Sequence, residues 1–210
     1  MLGTVAAVPP PLQTDRLSLR PLRAGDAEVL WRLWDDPEVY AYVGTGDVPG
    51  LDRLERGVEA FVRMYAEQGW GPLAVARRED GVVIGECGLY PWRQDGVETG
   101  EVELGYRYGR AHWGQGYGRE AAAAVLRWAR DELGCSELVC SVQEPNVASR
   151  RIAEGLGFRL VALRERRADG RVWLDCWYVW SGSESGSESG GESGRESGSA
   201  AGAGGGVAGG

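Results

Sequence analysis

One segment restricts the fold of this chain more than any other. An alternating run over 101–108 leads through Trp113 into Gly114-Gln115-Gly116-Tyr117-Gly118, and a helical pattern over 119–133 follows at once. Strand, glycine loop and helix in that order belong to an α/β architecture. No proline lies between Arg110 and Arg119, so every amide of the loop can donate a hydrogen bond. Glycine lets such amides approach an anion closely, and the helix N-terminus adds a favourable dipole there. Arg119 adds positive charge, while the alanines over 121–124 allow the helix to pack close to a sheet.

The rest of the pattern surrounds this unit. A half-buried strand is expected over 16–22, a helix over 26–35, a short turn opened by Pro37, and a longer helix over 51–68 stopped by Gly69. Strands follow over 73–77 and 82–90, joined at Asp80-Gly81, and then the strand over 101–108. After the helix over 119–133 come a strand over 137–143, a helix over 146–156 and strands over 158–164 and 171–180, with a turn at Asp169-Gly170. The order β-α-α-β-β-β-α-β-α-β-β requires a mixed sheet with some hairpin connections. Residues 1–11 read as a loose leader and 12–180 as one domain. The stretch 181–210 is a Gly/Ser/Glu tail too poor in apolar side chains to offset its ordering entropy, hence expected to be disordered.

Composition removes several chemistries. With 31 acidic against 23 basic residues and a net charge of −8, the chain lacks the basic face that nucleic acid needs. There is no lysine, which excludes a Schiff-base lysine and the phosphate-binding lysine of a P-loop. His112 is the single histidine, so no zinc site with two histidines can form, and no metal is expected. Cys87, Cys135, Cys140 and Cys176 show no Cys-x-x-Cys spacing and read as buried free thiols in a reducing compartment. No apolar run reaches the roughly 20 residues of a membrane span, so a cytoplasmic location without a membrane partner is expected.

Gly116-x-Gly118-x-x-Ala121 matches the dinucleotide-binding pattern formally. That fold needs two consecutive mononucleotide-binding halves and an acid after the next strand, where Gln143 stands instead. A different match runs through the whole chain. Thr14-Asp15-Arg16-Leu17, Leu19-Arg20-Pro21, Ile84-Gly85-x-Cys87-Gly88-Leu89, Glu103-Leu104-Gly105-Tyr106, Trp113-Gly-Gln-Gly-Tyr117, Asn146-x-x-Ser149 and Gly157-Phe158 occur in this order. Together they resemble the GNAT acyl-CoA N-acetyltransferases, in particular their RimJ/RimL-like branch.

The resemblance implies a GNAT fold: a central mixed, mostly antiparallel twisted sheet of roughly six to seven strands, with about four flanking helices. A splayed parallel pair, 101–108 and 137–143, would hold acetyl-CoA as acyl donor. Backbone groups of Tyr106, Arg107 and Tyr108 would pair with the pantetheine. Trp113 opens the pyrophosphate loop, whose amides at Gly114, Gln115, Gly116, Tyr117, Gly118 and Arg119 would bind the diphosphate. Asn146 would bond the pantetheine arm, or simply cap its helix. Many family members place a proton-donating tyrosine where Ala153 stands here, leaving Ser149 one turn earlier as the hydroxyl beside the thiol.

The attacking amine must lose a proton. Val102, Leu104, Tyr106 and Tyr108 share one face of their strand; Glu101, Glu103, Gly105 and Arg107 share the other. Glu103 is the leading base, unless it simply pairs with Arg107; Glu86 is the second candidate, and His112 reads as a surface residue. Trp31, Trp34, Tyr40, Tyr42, Trp70 and Trp92 are candidate walls for the acceptor, a small-molecule amine or a protein N-terminus. A non-catalytic acyl-CoA sensor is the alternative, and a homodimer stays open.

Overall fold

The computed structural model describes residues 9–94, 97–168 and 170–182. Most of the leader, Asp169 of the expected turn and the tail from residue 183 onward lie outside the described residues.

The elements in chain order are β1 (Leu12–Gln13), β2 (Leu17–Pro21), α1 (Asp26–Trp34), α2 (Pro37–Tyr40), α3 (Leu51–Gln68), β3 (Pro72–Arg77), β4 (Val83–Gln94) and β5 (Val97–Tyr108). A 3₁₀ turn at Arg110–His112 leads to α4 (Tyr117–Asp131), β6 (Glu137–Gln143), α5 (Val147–Gly155), β7 (Arg159–Ala168) and β8 (Arg171–Ser181). All eight strands form one sheet in the order β1-β2-β3-β4-β5-β6-β8-β7. The expected count of six to seven strands is one short, because β1 has two residues and no periodicity to read. The one-turn helix α2 raises the described α-helices above the expected four; Asp36 caps it by accepting from the Glu38 amide.

Every ladder is antiparallel except β5–β6, which is parallel and registers only at Glu103 and Val139. Beyond that point the two strands part. One face of the sheet carries α4, whose Ala121, Ala122, Val125 and Trp128 pack with Leu19, Val75, Leu104 and Tyr178 in the main core. The opposite face carries α1, α2 and α3, with Leu30, Trp34, Val58 and Tyr65 in a second core. Burial of this kind contributes about 25 cal/mol per Å² of apolar surface and closes the sheet on both sides.

The alternation expected along β5 holds. Leu104 and Tyr108 join the α4 core, whereas Arg107 stacks against Trp34 and Tyr40 on the other face, about 4.5 and 4.7 Å from their ring centres. The four cysteines are free and buried. The hairpin β4–β5 runs further than its sequence suggests, through an irregular step between Pro91 and Arg93. Pro91 has no amide to offer the ladder, so the pairing breaks there and resumes at Arg93 and Glu98.

Candidate active site

Where β5 and β6 separate, the sheet opens into a cavity of about 390 Å³. Gly105, Tyr106 and Arg107 line one side, Cys140, Ser141 and Gln143 the other, and Asn146 and Ser149 reach in from the start of α5. A parallel pair that splays leaves backbone groups without ladder partners, and such groups must find others. Glu103 supplies one: its Oε1 accepts a hydrogen bond from the Ser141 amide at 3.3 Å.

Glu103 thus stands at the apex of the cleft. Burial pushes its carboxyl up to about 7; the Ser141 amide opposes the shift and the Asp175 charge reinforces it. The expected alternative of pairing with Arg107 does not occur, since that guanidinium donates instead to the Tyr40 hydroxyl at 2.6 Å. Glu86 sits opposite Arg107 in the β4–β5 register and is buried. Its pKa is also raised, by burial, against the pull of Arg107 and Tyr90. It borders both the main cavity and a second one of about 280 Å³ beneath α1 and α3.

On the other side of the cleft stands a hydroxyl pair. The Tyr106 hydroxyl lies 2.8 Å from Ser149 Oγ and 3.2 Å from the Ser149 carbonyl oxygen. Asn146 caps α5 by accepting from the Ser149 amide at 3.1 Å, and it also lines the cavity. Burial pushes the Tyr106 phenol well up from its ordinary value, so its proton stays in place at neutral pH.

The glycine loop lies at the far end of β5, on the surface and outside the cavity wall. Gly114 and Gly116 take positive φ of 72° and 81°. Gly116 is the N-cap of α4, and no side chain caps that helix end, so its first amides are free for a ligand. Trp113 is anchored by its indole donating to the Tyr108 carbonyl at 2.9 Å, and Gln115 by its side chain donating to the Ala111 carbonyl at 3.0 Å. Tyr117 is buried, Gly118 packs on Ile152 and Tyr108, and Arg119 is exposed beside Gly155. A brace that the sequence did not suggest comes from Arg16. It donates to the Gln115 carbonyl at 3.0 Å, lies over the Tyr117 ring and bonds Glu120.

His112 is half-buried in the 3₁₀ turn, away from the cavity, and burial lowers its pKa. Of the six expected wall aromatics, Tyr42 and Trp92 line the main cavity, and Trp34 and Tyr40 line the second. Trp70 belongs to the main core, and Trp31 borders neither cavity. Among the wall residues that the sequence did not point to are Ser141, Arg166 and Asp175. No spacing signal marks the last two, because β7 and β8 come beside the cleft only through the strand order.

A splayed parallel pair with an uncapped glycine-loop helix at its end is the arrangement the sequence motifs suggested, and a family comparison agrees. The family model described as an acetyltransferase (GNAT) domain matches residues 16–159. The chain belongs to the GNAT acetyltransferase family. This GNAT domain is 29% identical over 163 residues to an N-acetyltransferase named p20 of Bacillus licheniformis, covering 77% of this chain and 90% of the relative. An acetyltransferase structure from Agrobacterium tumefaciens superposes with a TM-score of 0.66 at 28% identity, covering 85% of this chain and 98% of its own. The structure of yncA from Salmonella typhimurium, solved with its cofactor acetyl-CoA, shares the fold with a TM-score of 0.63 at 22% identity. It covers 82% of this chain and 98% of its own.

Acetyl-CoA is the acyl donor of GNAT acetyltransferases, and the loop here is suited to its diphosphate. No side chain caps the first amides of α4, Arg16 bonds the Gln115 carbonyl just before them, and Arg119 lies in the first turn. No helix among the described residues is long and apolar enough to cross a membrane.

Proposed function

We propose that this GNAT domain, spanning residues 12–180, transfers an acetyl group from acetyl-CoA to a primary amine, and that it belongs to the RimJ/RimL-like branch. The acceptor is a small-molecule amine or a protein N-terminus, handled in the cytoplasm and attacked directly, without a covalent enzyme intermediate. One observation carries the reading. A carboxyl raised to about 7 and a serine–tyrosine hydroxyl pair line one cavity at the point where the parallel strands part.

The division of labour follows from chemistry. Acetyl-CoA supplies the activated acyl group as a thioester when bound. Backbone groups of Tyr106, Arg107 and Tyr108 hold the pantetheine arm, Asn146 bonds it, and the amides from Gly114 to Arg119 bind the diphosphate behind Trp113. Glu103 takes the proton from the incoming ammonium, since only a neutral amine has a lone pair to offer. A base with a pKa close to the working pH is suited to that transfer. Ser149 hydrogen-bonds the sulfur side of the reaction, with Tyr106 fixing its rotamer.

The test is turnover with labelled acetyl-CoA across an amine panel, with products read by mass spectrometry. Glu103→Gln and Ser149→Ala should each lower kcat at least tenfold while calorimetry shows coenzyme A affinity within about threefold of the parent. Unchanged kcat in both variants would remove these assignments. Coenzyme A binding without product on any amine would make the domain a binding module instead.

A further inference from the structure

Three residues that line the main cavity carry a buried polar atom without a hydrogen-bond partner; Arg107 Nε lies in a guanidinium stacked on Trp34 and Tyr40, and the other two atoms have opposite polarity. One is the indole Nε1 of Trp92, a donor; the other is Oδ1 of Asp175, an acceptor. Asp175 is held firmly in place. Its side chain is nine-tenths buried, and its Oδ2 accepts from Arg166 Nε at 2.9 Å. Trp92 is fixed edge-on against Trp177, with ring centres 4.7 Å apart, at the irregular step of β4. Buried polar atoms are normally satisfied, so a rigid donor and a rigid acceptor on two residues that line one cavity call for a ligand or water that small side-chain shifts would admit to both.

We infer that Trp92 and Asp175 determine acceptor specificity by binding a neutral group, a hydroxyl or an amide, that neighbours the amine to be acetylated. The choice of group follows from hydrogen-bonding capacity. An ammonium only donates, so it would leave Trp92 Nε1 unsatisfied. A carboxylate only accepts, so it would leave Asp175 Oδ1 unsatisfied and would meet the carboxylates of Glu103 and Asp175. A hydroxyl or amide donates to Asp175 and accepts from Trp92. Glu103 lines the same cavity as Trp92 and Asp175, so the pair borders the space in which the base meets the amine. Tyr42, Tyr90 and Trp92 give the rest of the acceptor an aromatic surface.

This assignment rests on the acetyl-transfer reading, and the experiment separates the two. Three probes share one amine and one ring: phenylalaninamide, phenethylamine and phenylalanine. Their binding to the full chain is measured by calorimetry, with and without coenzyme A, and their acetylation by mass spectrometry. Phenylalaninamide should bind about tenfold more tightly than phenethylamine, and phenylalanine most weakly. Trp92→Phe keeps the ring and removes the donor; it should weaken phenylalaninamide about tenfold and leave phenethylamine within twofold. Asp175→Asn should do the same, and if it fails to fold the tryptophan variant decides alone. Each ratio compares one probe between proteins, so differences in amine basicity cancel. Equal binding of the probes, no binding of any, or equal weakening of both amines in the variants would overturn the inference. Selective binding without acetylated product would uphold it and sink the transfer reading only.

Discussion

The hydroxyls of Tyr106 and Ser149 lie 2.8 Å apart and join β5 to the first turn of α5 across the cleft. Burial keeps the phenol protonated, and it lies within reach of both the Ser149 hydroxyl and the Ser149 carbonyl oxygen, so it fixes where the serine hydroxyl sits. Tyr106→Phe should therefore lower kcat about tenfold through loss of orientation, less than Ser149→Ala. Stability should fall by only about 1 kcal/mol, the usual net value of one hydrogen bond. Steady-state kinetics beside a urea titration checks both numbers. Equal kcat in parent and phenylalanine variant would show that Ser149 needs no such partner.

Glu103 gives the activity a pH signature and the fold an opposite one. Its carboxyl is raised to about 7 in the folded chain, against about 4.3 unfolded. Below the unfolded value both states are protonated and the residue is neutral in effect. As pH rises towards 7 the unfolded chain ionises first, so stability declines, and above 7 the penalty stays constant. Glu103→Gln should remove it, stabilising the chain by roughly 2–4 kcal/mol at pH 8 and by nothing at pH 4. The parent's kcat/KM should rise with pH through about 7, a limb the glutamine variant loses. Denaturant titrations at the two pH values and a pH–rate profile measure the two effects separately.

Glu120 shows the reverse sign. Desolvation works against its charge, but bonds from Thr14 Oγ1, the Arg16 amide and the Arg16 guanidinium hold its pKa below the usual range. Such a group contributes stability above the unfolded pKa and loses it as pH falls through the folded one. With the Arg16 side chain 49% exposed, solvent screening limits the contribution to about 1 kcal/mol. Glu120→Gln should cost about that much at pH 7 and progressively less as pH falls through the lowered folded value. It should also weaken coenzyme A binding several-fold, because Arg16 links Glu120 to the Gln115 carbonyl in the loop. Equal coenzyme A affinity would show that the brace serves the fold alone.

The sequence was most legible where the signal is local. The helix over 51–68 appears with those ends as α3, because its apolar stripe and the left-handed Gly69 at its C-cap are both written in the chain. The pair Gly85 and Gly88 is written in the chain too, but its reason lies across the sheet: a Cβ on the first would stand 2.2 Å from the Arg107 carbonyl, and on the second 2.4 Å from Pro72 Cα. Signals that depend on strand order were invisible. Asp175 reaches the cleft because β8 follows β6 in the sheet, and Arg16 reaches the loop because β2 runs under α4. The outer arms of the β4–β5 hairpin were missed as well, since Pro91 and Gly100 interrupt the alternation. Resumed ladder pairing, the Arg93–Glu98 ion pair and a hydrogen bond from Thr99 Oγ1 to the Trp92 carbonyl hold the arms together there.

Gly116 offers the sharpest separation of fold from binding. Its φ of 81° is a conformation that costs other residues about 1–2 kcal/mol, yet an added Cβ would meet only the flexible end of Arg16 at 3.3 Å. Gly116→Ala should therefore fold, with a loss of about that size if φ is kept. If the backbone relaxes to negative φ instead, the cost to the fold shrinks but the first amides of α4 turn away from the diphosphate position. Either way the apo chain survives, and coenzyme A affinity should drop at least tenfold, because the amides turn away or the added Cβ stands where glycine lets the anion approach them. Gly134→Ala is the control, because it has the same sign of φ and open space around it, but lies beyond the other end of α4. A thermal melt without ligand, paired with calorimetry of coenzyme A, reads both quantities. Coenzyme A affinity retained in the Gly116 variant would show that the uncapped end of α4 is not where the diphosphate binds.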